Sequence, residues 1–267
     1  MEYQQFIEHS LHQASEIASK EFGRVSGTIK DEDNNQILTE TDTRIGRLLV
    51  NLIQGEFPEH NIIDEETGVV DNNSQFTWVI DPIDGTSNFV QGVPNYGIMI
   101  GLLRGGEPIS AGISLPFFQE IILAEKGQGT FRKNERLRVT EERDLSSVLV
   151  AYQLDSHQND PDFTRREYTT VAEIALAVRN VRTSGSCFDA VMVAEGKYGA
   201  CLNRTAKIWD IVAAQLIVEE AGGVCTDFFG RDLDYVDPVS RVANNFTYCL
   251  ASPILHEQIQ KIIRRIH

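Results

Sequence analysis

The chain has 267 residues, of which 42% are hydrophobic and 24% are charged. A chain of this composition buries a substantial core, as one large domain or two closely packed lobes, so the composition argues against disorder. The net charge of −15 argues against nucleic acid as the main partner, because clustered lysines and arginines bind phosphate backbones. An acidic cleft filled by divalent cations fits this charge better.

Cysteine usage and the absence of long apolar runs predict a soluble cytoplasmic protein that does not interact with membranes. No apolar run approaches the ~20 residues that span a bilayer, and the N-terminus has no basic start followed by an apolar stretch. The cysteines are too widely spaced for paired zinc motifs and lie among apolar residues, so we predict reduced core thiols. They are Cys187, Cys201, Cys225 and Cys249.

The first half of the chain reads as two helices followed by strands. Apolar residues recur at helical spacing over 3–22 and 42–55, and each pattern predicts an amphipathic helix. Between them, the polar residues 27–36 predict a mobile surface loop. The apolar run 76–80 predicts a buried strand. Three later strands, separated by glycine and proline signals, predict an antiparallel meander over 97–103, 109–115 and 120–125.

The second half alternates helix and strand, and the polar stretch 140–144 predicts a lobe boundary before it. The strand and helix patterns cover 147–153, 163–178, 190–202 and 210–221, with a last helix after Ser252 and Pro253. We therefore predict an N-terminal α+β lobe, residues 1–143, and a C-terminal α/β lobe, residues 144–267.

The most informative segment lies directly after the buried strand, where residues 81–86 bring two carboxylates, a glycine and a hydroxyl into one predicted tight turn. Pro82 fixes φ after Asp81, so Asp81 and Asp84 can face one hard cation. Gly85 lets the backbone approach a ligand, and the next N–H groups would open a helix and bind phosphate. The same residues also make an ordinary turn, so this segment alone leaves both readings open.

Further carboxylates stand where other strands or loops meet helices. Glu65 follows a short apolar strand, and Asp210 opens a strongly apolar helix. Together with Asp81 and Asp84 they would repel one another without cations, and this would raise their pKa values. Two or three Mg²⁺ ions would neutralise them, polarise a phosphate and acidify a water.

Four segments in chain order resemble the inositol monophosphatase family, and the resemblance spans nearly the whole chain. The central signature, Asp-Pro-Ile/Leu-Asp-Gly-Thr, stands at 81–86. A second, Trp-Asp followed by a helix and Glu-Ala-Gly-Gly, stands at 209–223. A Glu-Glu pair occupies 65–66 and Thr-x-x-Asp occupies 39–42. The resemblance implies an α/β (α+β) fold, the layered αβαβα sandwich of the sugar-phosphatase superfamily.

The resemblance also implies a ligand set for two to three Mg²⁺ ions. One ion would be held by Glu65, Asp81 and the backbone carbonyl of Ile83. A second would be held by Asp81, Asp84 and Asp210, and a third, weaker ion would touch Glu65.

By the same resemblance, catalysis involves a water oriented by side chains. Thr86, oriented by Asp42, would help to position and activate the metal-bound water that attacks phosphorus in line, and Glu65 belongs to the same catalytic group. The remaining implied positions bind phosphate or substrate: Gly85, Thr86, Ser87, Ser186, Asn203 and Arg204.

The substrate is less determined than the reaction. Residues 86–89, Thr-Ser-Asn-Phe, resemble the inositol-hydrolysing version of this segment rather than the nucleotide phosphatases. Asn203, however, replaces an acidic residue that binds substrate hydroxyls, and Arg204 beside it could favour a second phosphate. The segment that starts Gly185-Ser186 also looks one residue shorter than in relatives.

The resemblance therefore implies a phosphoric monoester hydrolase that acts as a homodimer on a small phosphate ester. Inositol-1-phosphate is the first candidate, and fructose 1,6-bisphosphate or another sugar or nucleotide phosphate is the alternative. A non-enzymatic role as an interaction protein of transcription complexes is a third hypothesis. The intact carboxylate set and the net charge of −15 argue against it. Lithium sensitivity and the dimer surface stay open.

Overall fold

The structure, a computed structural model, describes residues 2–30, 33–157 and 159–267, without the side chains of residues 30 and 33–36. The α-helices in these residues are α1 (Tyr3–Glu21), α2 (Glu40–Glu56), α3 (Thr86–Gln91), α4 (Pro161–Ala175), α5 (Phe188–Ala194), α6 (Ile208–Glu220) and α7 (Pro253–Ile266). The strands before residue 143 are β1 (Thr28–Lys30), β2 (Asp33–Leu38), β3 (Asn61–Asp64), β4 (Gly68–Val70), β5 (Phe76–Asp84), β6 (Gly97–Arg104), β7 (Glu107–Leu115), β8 (Glu120–Glu125), β9 (Gly129–Arg132) and β10 (Glu135–Arg136). The later strands are β11 (Leu149–Gln153), β12 (Asn180–Arg182), β13 (Ala200–Ala206), β14 (Val224–Thr226) and β15 (Phe246–Ala251).

The helices and two large sheets stack in five layers. The first sheet has the order β10-β9-β8-β7-β6-β5-β3-β4, and the second has the order β12-β11-β13-β15-β14. Helices α1 and α2 cover the outer face of the first sheet, and α4 and α7 cover the outer face of the second. Helices α5 and α6 pack between the sheets. This is the αβαβα sandwich that the resemblance implies, so the predicted fold class is confirmed.

Strand β5 is buried on both faces, as expected for its apolar run from Trp78 to Ile80. Successive side chains of a strand point to opposite faces. Trp78 and Ile80 accordingly pack with α1 and α2, whereas Val79 packs in the central layer. The strand therefore carries its last residues, starting with Asp81, into the interior between layers.

The helices and strands predicted from periodicity are confirmed, but a loop predicted from polar composition is wrong. The helix patterns over 3–22 and 42–55 correspond to α1 and α2, and the meander corresponds to β6, β7 and β8, which pair antiparallel. The loop predicted over 27–36 is wrong where the structure describes it, because β1 and β2 pair antiparallel there. The polar and charged residues of this stretch indicated a loop, although Thr28 and Ile29 are β-branched and favour extended backbone. Residues 31 and 32 lie outside the described residues.

Three further predictions concern the cysteines, the lobe boundary and membrane-spanning segments. The four cysteines are buried and free, as predicted. The first large sheet is built from residues before 143 and the second from residues after 144, but the lobe boundary itself stays a prediction. Among the described helices, none is long and apolar enough to cross a membrane.

Candidate active site

Parallel pairing brings Glu65 beside Asp81. Strand β3 runs parallel to β5, and its last residue, Asp64, lies opposite Ile80. The N–H of Glu65 donates a hydrogen bond to the carbonyl of Ile80 at 3.3 Å. Glu65, which follows β3, and Asp81, which follows Ile80 within β5, are therefore neighbours.

The segment predicted as a tight turn after Ile80 is instead an irregular continuation of β5. Asp81 lies opposite Met99 of β6 and Asp84 lies opposite Gly97, so three steps along β5 face two steps along β6. The extra residue is a β-bulge, which shifts the alternation of side chains by one. The turn prediction is wrong in its geometry because the bulge, rather than a chain reversal, brings the two carboxylates together.

Helix α6 supplies the third carboxylate from the layer between the sheets. Asp210 lies in its first turn, where its Oδ2 accepts a hydrogen bond from the N–H of Lys207 at 2.6 Å. This bond satisfies a donor at the helix start and fixes the carboxylate. Ligand oxygens of Asp81, Asp84 and Asp210 all lie within 4.8 Å of one another.

The electrostatics of this cluster are unfavourable without cations. Asp81 is 1% exposed, and its Oδ1 has no hydrogen-bond partner among the described residues. Burial raises the pKa of Asp81 well above its usual range, and the charges of Glu65, Asp84 and Asp210 raise it further. Burial and the charges of Asp84 and Glu65 likewise raise the pKa of Asp210. Burial, reinforced by the charge of Asp189, raises the pKa of Asp84 to about 6 against the lowering effect of its hydrogen bonds with Cys187.

A cluster of carboxylate oxygens with one orphaned buried oxygen fits a hard divalent cation. Hard cations such as Mg²⁺ take oxygen ligands, and the ion's charge would offset the repulsion that raises these pKa values. The residues present therefore suit the metal that the sequence implied.

Thr86 and Asp42 are joined by a hydrogen bond beside the cluster. The Thr86 hydroxyl lies 3.1 Å from Asp42 Oδ1 and 2.9 Å from the carbonyl oxygen of Ile83. The other carboxylate oxygen, Asp42 Oδ2, accepts hydrogen bonds from the backbone N–H and the hydroxyl of Thr39. The Asp42 N–H donates in return to Thr39 Oγ1 at 3.3 Å, and this completes a capping box at the start of α2. Burial is the main cause that raises the pKa of Asp42 to about 6.

Gly85 makes the turn from the bulged strand into α3. Its φ of 85° lies in the left-handed region, and a Cβ there would be 2.8 Å from Ser186 Cβ. Only glycine meets both demands without strain. Asn88 then ties this turn to a second loop, because its Nδ2 donates to the carbonyls of Asn95 and Ser184, each at 2.7 Å.

A cavity of about 270 Å³ opens over the carboxylates. Nine of the predicted site residues line it: Glu65, Asp81, Ile83, Asp84, Gly85, Thr86, Ser87, Asn203 and Asp210. Asp42 reaches it through Thr86. Ser186 is fully buried behind Gly85, where its Oγ accepts a hydrogen bond from the N–H of Phe188.

The structure does not bring Arg204 to this cavity. Successive residues of β13 point to opposite faces, so Asn203 faces the cavity and Arg204 faces away. The Arg204 guanidinium pairs with Glu167 Oε1 at 2.6 Å, and the rings of Phe163, Phe228 and Phe229 surround it at 4.9–5.4 Å. The argument that this arginine favours a second phosphate therefore loses its basis.

Sequence reasoning missed several residues that line the cavity: Asn88, Gln153, Asp155, Ser184 and Thr205. A signal was present for two of them. Thr205 is two residues after Asn203 on a strand, so it shares that face. Asp155 follows the carboxyl end of β11, which runs parallel to β13, and ligand sites of α/β sheets lie at such ends.

Comparison with known proteins identifies the class as a phosphoric monoester hydrolase. The Thermotoga maritima protein named fructose-1,6-bisphosphatase/inositol-1-monophosphatase is 30% identical over 96% of this chain and 93% of its own length. The solved structure of a Thermotoga maritima IMPase has a TM-score of 0.87 at 29% identity, covering 100% of this chain and 98% of that one. The Xylella fastidiosa Nus factor SuhB is 31% identical over 74% of this chain and 72% of its own length.

The family model described as the inositol monophosphatase family matches residues 2–267. The chain belongs to the inositol monophosphatase family. The resemblance drawn from four short segments is thus confirmed along the chain.

Proposed function

We propose that this protein is a Mg²⁺-dependent phosphomonoesterase that hydrolyses a small polyol or sugar phosphate, with inositol-1-phosphate as the first candidate. The observation that carries the proposal is the approach of the Asp81, Asp84 and Asp210 oxygens within 4.8 Å at the floor of a polar cavity. The cavity could hold a small phosphate ester above the metal site.

The proposed metal ligands come from both predicted lobes. Glu65, Asp81 and the carbonyl of Ile83 would hold one ion, and Asp81, Asp84 and Asp210 a second; a third would be weaker. When bound, the ions neutralise the carboxylates, polarise the phosphoryl oxygens and lower the pKa of a coordinated water.

Thr86 and Asp42 would orient the attacking water and receive its proton. A hydroxyl that donates to Asp42 Oδ1 keeps lone pairs on Oγ1 to accept a hydrogen bond from water. Asp42, with its pKa raised to about 6, can accept a proton near neutral pH. We include Glu65 in this group because it lines the cavity and its charge is one of the causes that raise the pKa of Asp81 and of Asp210.

The turn between β5 and α3 would hold the phosphate. The N–H groups of Gly85, Thr86 and Ser87 lie at the start of α3, where backbone donors are not used within the helix. With phosphate held there and water held at Thr86, the water would attack phosphorus in line and the bond from phosphorus to the ester oxygen would break, without a covalent enzyme intermediate. The leaving alkoxide would take a proton from solvent, so the ester and water give phosphate and alcohol.

The described cavity lining supports a polyol more than a bisphosphate. Its members beyond the metal site are mainly amides, hydroxyls and one further carboxylate, and a second phosphate has no cationic partner among them. We also favour an enzyme over an interaction protein, although one relative carries the name Nus factor SuhB. A buried carboxylate cluster is costly to keep without a cation.

The resemblance to the family also leads us to propose a cytoplasmic homodimer. Light scattering in solution tests the dimer, and cell fractionation tests the location.

The test is phosphate release, with and without Mg²⁺, from inositol-1-phosphate, fructose 1,6-bisphosphate, glycerol phosphate, histidinol phosphate and 3′-phosphoadenosine phosphate. We expect Mg²⁺-dependent turnover, fastest for inositol-1-phosphate. A faster bisphosphate or nucleotide would refute the substrate assignment. No turnover of any ester, by protein that binds Mg²⁺, would refute the phosphatase proposal for these substrates and favour the interaction protein.

A further inference from the structure

Asp155 adds a carboxylate to the lining of the cavity, and this carboxylate is not one of the proposed metal ligands. It is exposed, follows the end of β11 and lines the cavity with Asn203 and Thr205 of the neighbouring strand. Its charge is one of the causes that raise the pKa of Asp210, so the two carboxylates lie within electrostatic reach. Of the lining residues that the structure describes, none is a lysine, an arginine or a histidine.

Asn203, the residue predicted to bind the leaving group, is already engaged inside the protein. Its Nδ2 donates to Gln153 Oε1 at 2.8 Å, and its Oδ1 accepts from the N–H of Thr205 at 2.7 Å. Gln153 is fixed in turn, because Tyr248 donates to its Oε1 at 3.0 Å and its Nε2 donates to the carbonyl of Ser186 at 2.8 Å. These bonds use one Nδ2 proton and one acceptor site on Oδ1 of Asn203. The neutral amide oxygen is also a weaker acceptor than a carboxylate.

Asp155 has the acceptor capacity that Asn203 lacks. The Thr205 hydroxyl donates to Asp155 Oδ2 at 2.5 Å and so orients the carboxylate. A carboxylate offers about four lone-pair sites, and this bond occupies one of them. Asp155 is thus an oriented anionic acceptor at the β11–β13 wall of the cavity, with no described cation in the lining to neutralise it.

We propose that Asp155 is a specificity-determining residue that accepts hydrogen bonds from hydroxyl or amino groups of the leaving alcohol and repels a second phosphate. This inference rests on the proposed phosphatase function. Asp155, which lies just after the neighbouring strand β11, takes the role of the acidic hydroxyl-binding residue that relatives have in place of Asn203. A charged hydrogen bond to the substrate strengthens binding, whereas the repulsion between two neighbouring anions weakens it.

The test compares wild type with Asp155→Asn on four substrates at saturating Mg²⁺. Inositol-1-phosphate offers hydroxyl groups, histidinol phosphate offers an amino group, fructose 1,6-bisphosphate adds a second phosphate, and p-nitrophenyl phosphate has none of these. We expect kcat/KM for inositol-1-phosphate, relative to p-nitrophenyl phosphate, to fall about tenfold, chiefly through KM. The same ratio for the bisphosphate should rise. A larger loss with histidinol phosphate would assign the amino group as the partner.

Two further variants sharpen the interpretation. Thr205→Val removes the hydroxyl that orients Asp155 and should shift the substrate ratios in the same direction by a smaller factor. Asp162→Asn is the control. Asp162 is an exposed residue of α4 that pairs with Arg165, so this variant removes an equal charge away from the cavity and should leave every substrate ratio unchanged.

Two results would overturn the inference. Equal losses on all four substrates would mean that Asp155 acts on the metal site, and unchanged ratios would mean that it does not contact the leaving group. Binding of inositol-1-phosphate, measured by calorimetry, separates this inference from the proposed function. If wild type binds the ester without hydrolysing it, weaker binding by Asp155→Asn still supports the inference, and equal binding contradicts it.

Discussion

Asp81 and Asp84 lie on the same side of β5 because a β-bulge adds one residue to the strand between them. Three residues apart on a regular strand, their side chains would point to opposite faces. The bulge lies between the pair of Asp81 with Met99 and the pair of Asp84 with Gly97, and it turns both aspartates to the same face. Ligand oxygens of Asp81 and Asp84 therefore lie within 4.8 Å of each other and of an oxygen of Asp210. The local backbone irregularity is thus what creates the proposed metal site.

Replacing one carboxylate of this site should remove activity while it stabilises the metal-free protein. For Asp84→Asn we expect kcat to fall at least ~10³-fold. Because the pKa of Asp84 is raised to about 6, ionised Asp84 disfavours the metal-free fold, and removing the charge should add roughly 1–3 kcal/mol at pH 8. Urea unfolding in EDTA measures the stability, with Asp162→Asn as the charge-matched control. A variant that is both inactive and strongly destabilised would point to a structural role instead.

Metal-free stability should fall as pH rises, and Mg²⁺ should reverse the trend. The folded protein keeps the Asp84 proton up to about pH 6, whereas the unfolded chain releases it near the ordinary aspartate pKa of 3.8. The folded state therefore binds more protons between these values, and this contribution to stability is lost as pH rises through the folded pKa. The difference in Tm between wild type and Asp84→Asn in EDTA isolates this effect from other groups.

In the same series, the increase in Tm caused by Mg²⁺ should be small at pH 5 and large at pH 8, since protonated carboxylates do not hold the ion. An equal increase at both pH values would argue that Mg²⁺ binds elsewhere.

Thr86 and Asp42 should matter for turnover rather than for substrate binding. Thr86→Val removes the hydroxyl that bridges Asp42 and the proposed water, and proton-transfer groups contribute about 10²–10⁴-fold. We expect kcat to fall by about 10²-fold with KM within threefold, and Thr86→Ser to restore most of the loss. Steady-state kinetics at saturating Mg²⁺ separate the two parameters. A rise in KM with unchanged kcat would assign Thr86 to phosphate binding alone.

The sequence predicted the periodic and motif-bearing parts of this structure well. Helices α1 and α2 and the strands β6, β7 and β8 follow from hydrophobic spacing, because each buries one regular face. The proposed metal ligands could be named from the sequence because short motifs place carboxylates at the ends of such elements.

The parts that were missed depend on pairing between distant segments. The bulge at Asp81–Asp84 is defined by its register against β6, which local spacing does not encode. Arg204 was expected in the pocket because of its proximity in sequence to Asn203, but strand alternation turns it to the opposite face. Asp155 was overlooked because only the parallel pairing of β11 with β13 places it beside Thr205.

The buried pair of Arg204 and Glu167 should be important for stability. Arg204 lies among three phenylalanine rings, and Glu167 also accepts a hydrogen bond from the Tyr152 hydroxyl at 2.7 Å. Removing one member of a buried ion pair leaves an uncompensated charge, so Glu167→Leu should cost about 3–5 kcal/mol in urea unfolding. The double variant Glu167→Leu with Arg204→Met should recover most of that loss. A double variant as unstable as the single one would show that packing, rather than charge, sets the cost.

The most direct test of the central claim is the Mg²⁺ dependence of inositol-1-phosphate hydrolysis by wild type and Asp210→Asn. The asparagine can still accept the hydrogen bond from the Lys207 N–H, so the start of α6 should remain intact. We predict turnover that rises with Mg²⁺ for wild type and stays at least ~10³-fold lower for the variant at every concentration. Turnover by wild type without divalent cations, or normal turnover by Asp210→Asn, would contradict the assignment of this carboxylate cluster as the catalytic metal site.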